Sequence, residues 1–144
     1  MKIYILLIFA CVCFVGCSSE PTPTQLELVD RLIQEQIDLP YKEPNFKGAE
    51  NMLLKYGETV EEATERNKQL YKKIHNYLVA LKNKPYKDKK EWALNNLESS
   101  IDLYERTLKS METPLDMSDK GNKKVFLLFE QRKEWLSILK EQTF

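Results

Sequence analysis

The sequence predicts an all-α chain, a small antiparallel bundle of about four helices behind an N-terminal targeting segment. Three observations carry that prediction. The 144 residues include only 4 Gly and 6 Pro, which leaves long stretches free of helix breakers. In four stretches, apolar residues recur at spacings of three and four, the repeat of one helical face. Several stretches open on Ser, Thr or Asp, with Glu or Gln three residues later, the signature of a capped helix start.

The chain opens on Met1-Lys2, a short positive start, followed by an apolar run from Ile3 to Val15. A membrane-spanning helix needs roughly 20 apolar residues, so this run is too short to be one. It fits the core of a signal peptide. Phe14-Val15-Gly16-Cys17 closes the run: two apolar residues, a small one and a cysteine. No cysteine follows Cys17, and Cys11 and Cys13 both lie inside the run. Removal of residues 1–16 leaves one thiol at the new N-terminus and no partner for a disulfide. The remaining fold must be held by packing alone.

This segment resembles a bacterial lipoprotein signal, whose lipobox reads Leu-(Ala/Ser/Val)-(Gly/Ala)-Cys; Phe14 stands where Leu is usual. The resemblance implies that Cys17 receives a diacylglyceryl group, that further palmitate-type acylation follows, and that cleavage makes Cys17 the first residue. Two or three acyl chains anchor stably where one does not. Ser18, rather than Asp, follows the cysteine. In a Gram-negative host this implies the outer membrane; otherwise the cell membrane, with the domain facing the periplasm or the exterior. Plain secretion and an uncleaved anchor are the competing readings. Residues 17–24, polar and holding Pro21 and Pro23, read as the lipidated cysteine and a tether. Its seven residues after Cys17 span no more than roughly 24 Å. The bundle is residues 25–144.

The first helix starts at Thr24 with Glu27, or at Thr22 with Gln25 and Pro23 in the first turn. Its stripe is Leu26, Val29, Ile33 and Ile37, with Leu28 and Leu32 alongside, and Pro40 ends it near Leu39. Residues 40–57 are irregular. Ala49 to Tyr56 suits a short helix with Met52, Leu53 and Tyr56 inward and Gly57 as its stop. Thr59 and Glu62 form a capping box for a helix reaching about Asn83, with stripe Val60, Ala63, Asn67, Leu70, Ile74, Tyr77 or Leu78, and Leu81. Asn67 reads as a core amide that fixes register. Asp88 and Glu91 open the next helix, with stripe Leu94, Leu97, Ile101, Tyr104, Leu108 and Met111, ended by Pro114. Asp116 or Ser118 caps the last, which runs to about Gln142 on Val125, Leu128, Phe129, Arg132, Trp135, Leu136 and Leu139. Val125 to Phe129 is apolar all round, which predicts cover on more than one side.

The composition bears on function mainly by exclusion. Lys plus Arg and Asp plus Glu are each 22, so the chain lacks the basic balance that nucleic acid demands. His75 is the single histidine, and no Glu-x-x-His pair, Gly-rich phosphate loop or nucleophile elbow is present. No catalytic residue, metal or cofactor is expected, and the chain reads as a binder. Glu58, Glu61, Glu62 and Glu65 read as a solvated helix start favoured by the helix dipole.

Two features suggest a partner. Lys82, Lys84, Lys87, Lys89 and Lys90 surround Pro85, suited to lipid headgroups, cell-wall acids or an acidic protein. Trp92 lies half a helical turn away from Ile101, with Leu103 on its own side, so it serves either internal docking or a partner. Tyr41, Phe46 and Tyr56 pose the same alternative. The candidate partner surface is Trp92, Leu103, Lys84, Lys87 and Lys89. The first functional expectation is an anchored lipoprotein that binds, pilots or blocks an envelope protein. The alternative is a small apolar or lipid ligand held among Phe126, Phe129 and Trp135.

Overall fold

A computed structural model describes residues 20–141; Cys17 and residues 1–16, the expected signal segment, lie outside the described residues. Five helices follow one another: α1 Pro23–Ile37, α2 Glu50–Lys55, α3 Val60–Leu81, α4 Tyr86–Ser110 and α5 Lys120–Lys140. Among the described residues there is no strand. The predicted all-helical bundle is what the chain forms.

Local chemistry explains most of the boundaries. Thr22, not Thr24, caps α1. Its hydroxyl accepts from the Gln25 amide at 3.1 Å, and Gln25 Oε1 accepts from the Thr22 amide at 3.2 Å. This register places Pro23 at the first helical position, where a missing N–H costs nothing. Thr59 and Glu62 form the reciprocal box expected for α3. α2 stops in a Schellman motif: the Gly57 amide reaches the Leu54 carbonyl and the Glu58 amide reaches that of Leu53. Gly57 has a φ of 75°, a conformation open to glycine at little cost.

Two starts differ from expectation. α4 begins at Tyr86, with Pro85 extended at its N-cap, so Asp88 lies inside the first turn. α5 is capped by Asp119, whose carboxylate accepts from the Asn122 amide at 2.9 Å. Asp116 is already engaged with the Ser118 amide and hydroxyl, which makes the preceding turn and leaves the cap to Asp119.

The core lies where α1 meets the other long helices. Leu28, Val29, Leu32 and Ile33 of α1 pack with Leu78 and Leu81 of α3, Ala93 and Leu97 of α4, and Trp135 and Leu139 of α5. α1 therefore buries a wider sector than a single stripe. Gln25 joins its buried face, whereas Leu26 is exposed. Gln25 Nε2 donates to the carbonyls of Ile138 and Glu141, at 2.9 and 3.1 Å. The start of α1 is thus tied to the end of α5, and the two helices run antiparallel.

Elsewhere the expected inward faces turn out to be surface. On α3, Leu70, Ile74, Tyr77 and Asn67 are exposed, while Tyr71 and His75 are half-buried. Apolar residues occupy both sides of that helix; the side toward α1 and residues 39–41 is covered, and α2 also packs against it. The Tyr71 hydroxyl donates to the Leu39 carbonyl at 2.8 Å, and its ring lies 5.3 Å from that of Tyr41. On α2, Met52 and Tyr56 face solvent rather than inward. Val125 to Leu128 is not covered on more than one side either. α1 bonds to α5 from Glu141 to Arg132, and the helix beyond rests mainly on α4.

Candidate functional site

The residues proposed for a partner divide in the fold. Trp92 is half-buried and packs against the core cluster, so its ring is used internally. Leu103 is 62% exposed. Lys84 and Lys87 are exposed. Lys89 lies against α1, its Nζ 2.6 Å from a carboxylate oxygen of Asp30. Lys82 donates to Gln34 Oε1 at 2.6 Å, and Lys90 Nζ lies 5.9 Å from the centre of the Tyr86 ring. Of the expected surface, then, Leu103, Lys84 and Lys87 remain at the surface, and Trp92 and Lys89 stabilise the fold.

One apolar surface lies where the stripes predicted cover. Val125, Phe126, Leu127 and Leu128 are consecutive on α5 and between 37% and 57% exposed. Leu103, Met111 and Met117 are exposed on α4 and the connection to α5. Three hollows open here. One of 330 Å³ lies between α4 and α5 beside Gln36, with Ile101, Val125, Leu128 and Phe129 as apolar wall and Tyr104 and Arg132 as polar groups. A second, of 490 Å³, shares Tyr104 and continues over Leu108, Met111, Met117 and Phe126. A third, of 350 Å³, lies over Leu127 and Gln131. Phe126, Phe129 and Trp135 do not enclose one cavity: Trp135 lines a separate hollow of 210 Å³ with Thr24, Leu28 and Arg31.

Arg132 is the most constrained charge at this site. Its Nη2 donates to Glu35 at 2.9 Å, and its guanidinium lies 4.6 Å from the Trp135 ring centre. Arg31 lies over the same ring at 5.1 Å. The Arg132 Nη1 and the Tyr104 hydroxyl are buried without a hydrogen-bond partner among the described residues. An unpaired buried donor costs roughly 1–3 kcal/mol, so both groups favour an acceptor that reaches the hollow. The Tyr104 ring packs 4.3 Å from Phe129.

The acidic group at the start of α3 is occupied by folding. Glu58 receives two hydrogen bonds from Arg66, at 2.6 and 2.8 Å, and Glu62 completes the cap. The Arg66 bonds hold the Glu58 carboxyl below its ordinary range. His75 stacks on Tyr71 at 6.0 Å. Among the described residues, no three His, Cys, Asp or Glu side chains converge on a metal-sized site, and no helix is long and apolar enough to cross a membrane.

Sequence spacing missed Gln25, Tyr104 and the Arg31–Trp135–Arg132 stack. A polar residue at the third helical position of α1 looks like a cap only, and the buried use of Gln25 depends on α5, over a hundred residues away. Arg132 in an otherwise apolar stripe was the one available signal. No protein-family profile, curated protein or solved structure matches this chain. The class is therefore set by the fold alone: a small all-helical bundle with an exposed apolar end among the described residues.

Proposed function

We propose that the chain is a membrane-anchored envelope lipoprotein whose bundle binds another envelope protein through the α4–α5 end. The anchor part is carried by the residues around Cys17. One observation carries the binding part: four consecutive apolar residues, Val125 to Leu128, are exposed together on one helix. Helices that are apolar all round are ordinarily buried, and a contiguous apolar surface is a common mark of an interface. Met111 and Met117, which share a hollow with Phe126, extend it, and flexible Met side chains adapt to a partner's shape. The reading is of a binder and not an enzyme.

The test is a photo-crosslinking amino acid at position 127 of the full chain in its own membrane. A defined adduct that disappears in Phe126→Asp, while a crosslinker at exposed position 70 gives none, supports the interface. No adduct at 127, or equal adducts at both positions, overturns it. The 330 Å³ hollow favours a second reading, a small amphiphile seated against Arg132 and Tyr104. Co-purification of a stoichiometric lipid with no protein adduct selects that reading instead.

A further inference from the structure

The fold brings the lysine-rich turn to the end of the bundle from which the tether leaves. α1 starts at Pro23, two residues beyond Pro21. α3 runs back along α1, so that Lys82 meets Gln34, and α4 then sets out beside it, so that Lys89 meets Asp30. Asn96 and Ser100 of α4 lie beside Gln36, so α4 runs in the same direction as α1, and the turn at 83–85, which precedes Lys89, lies on the Asp30 side toward the start of α1. Residues 82–91 hold five lysines against one Asp and one Glu. Lys84 and Lys87 are exposed, and among the described residues no acid pairs with either in an ion bridge. Glu27 and Glu141 are exposed at this end too, so the turn rather than the whole end is the basic surface.

The opposite end is far away and less basic. α5 has 21 residues and so spans about 32 Å at about 1.5 Å each, from the carbonyls held by Gln25 to the α4–α5 connection. Residues 105–124 hold five cations against four carboxylates. Because Thr22 is the cap, only five peptide steps separate it from Cys17, at most about 18 Å of chain. The α4–α5 end reaches a bilayer only when the domain lies flat.

We propose that the α3–α4 turn is the bilayer-facing surface of the anchored domain and takes the phosphates of anionic lipid headgroups through Lys84 and Lys87. This rests on the anchored reading given above. Each lysine near an anionic surface favours contact by roughly fivefold, and the effect fades beyond a screening length of about 8 Å in physiological salt. Contact at the turn holds the bundle upright and presents Val125 to Leu128 away from the lipid.

The experiment uses the full lipidated chain in phosphatidylcholine vesicles, with and without a minority of phosphatidylglycerol. No cysteine follows Cys17, so a cysteine placed at Asn83 or at Thr113 takes a fluorophore selectively. With phosphatidylglycerol, a lipid-borne quencher is expected to quench the label at 83 several-fold more than in phosphatidylcholine alone, and the label at 113 no more. About 1 M salt, or Lys84→Glu with Lys87→Glu, is expected to abolish the difference. Equal quenching at 83 in both vesicles, or stronger quenching at 113, overturns the proposal while leaving the anchor intact. Mass spectrometry of the same protein separates the failures: an unacylated Cys17 overturns the anchored reading and this orientation together.

Discussion

Gln25 Nε2 donates to the carbonyl oxygen of Ile138 at 2.9 Å, joining the first turn of α1 to the last turn of α5. A side chain buried to 3% exposure thereby satisfies backbone groups that α5 leaves open at its C-terminus. Gln25→Ala should cost about 1–2 kcal/mol by chemical denaturation, the usual range for a buried hydrogen-bonding group. Gln25→Leu should cost a similar amount even though it adds apolar volume. A gain in stability from Leu would show that packing, not the carbonyl contact, sets the need at this position.

Leu97 and Leu70 occupy equivalent places in the sequence stripes of α4 and α3, but Leu97 has no exposure and Leu70 is 51% exposed. Leu97→Ala should destabilise by about 2–5 kcal/mol, the range for a buried leucine. Leu70→Ala should stay within about 0.5 kcal/mol of the parent. Thermal melts of the two variants decide whether α3 is open on that face.

Trp135 is buried, with two arginine groups over its ring. Trp135→Ala should cost about 3–5 kcal/mol. Arg31→Ala should cost no more than about 1 kcal/mol, because that arginine is largely solvated. A larger effect for Arg31 than for Trp135, in the same denaturation series, would reverse this assignment.

Glu58 links stability to pH. Its carboxyl is held below the ordinary range by the Arg66 hydrogen bonds, so its folded value lies below its unfolded value. The contribution is then fully present above the unfolded value, about 4.3, and is lost as the pH falls through the folded value. In an NMR titration the Glu58 midpoint should lie below that of exposed glutamates, and Arg66→Ala should return it to theirs. An unchanged midpoint in Arg66→Ala would assign the shift to another cause.

Most helices could be found from local chemistry. Thr59 with Glu62, Gly57 as a stop and Pro40 after α1 act through bonds within a few residues, so the linear order contains them. α2 was legible for the same reason, although its predicted inward face was not. Choices between neighbouring caps depended on competition: Asp119 caps α5 because Ser118 occupies Asp116. The candidate site was less legible. Val125 to Phe129 promised burial; Phe129 is buried, and the exposure of Val125 to Leu128 follows from α1 stopping at Ile37, a fact about another helix.

The sequence by itself determined that this chain is helical, where its helices begin and end within a few residues, and which basic turn and apolar cluster it carries. Capping, proline placement and apolar period act over one or two helical turns, which is why they can be read along the chain. Only the tertiary structure decided which faces are used. An apolar stripe states that a face prefers cover, not that a neighbour is long enough to supply it. α1 covers half of α3 and half of α5, burying Leu78 and Leu139 and leaving Leu70 and Leu127 to solvent.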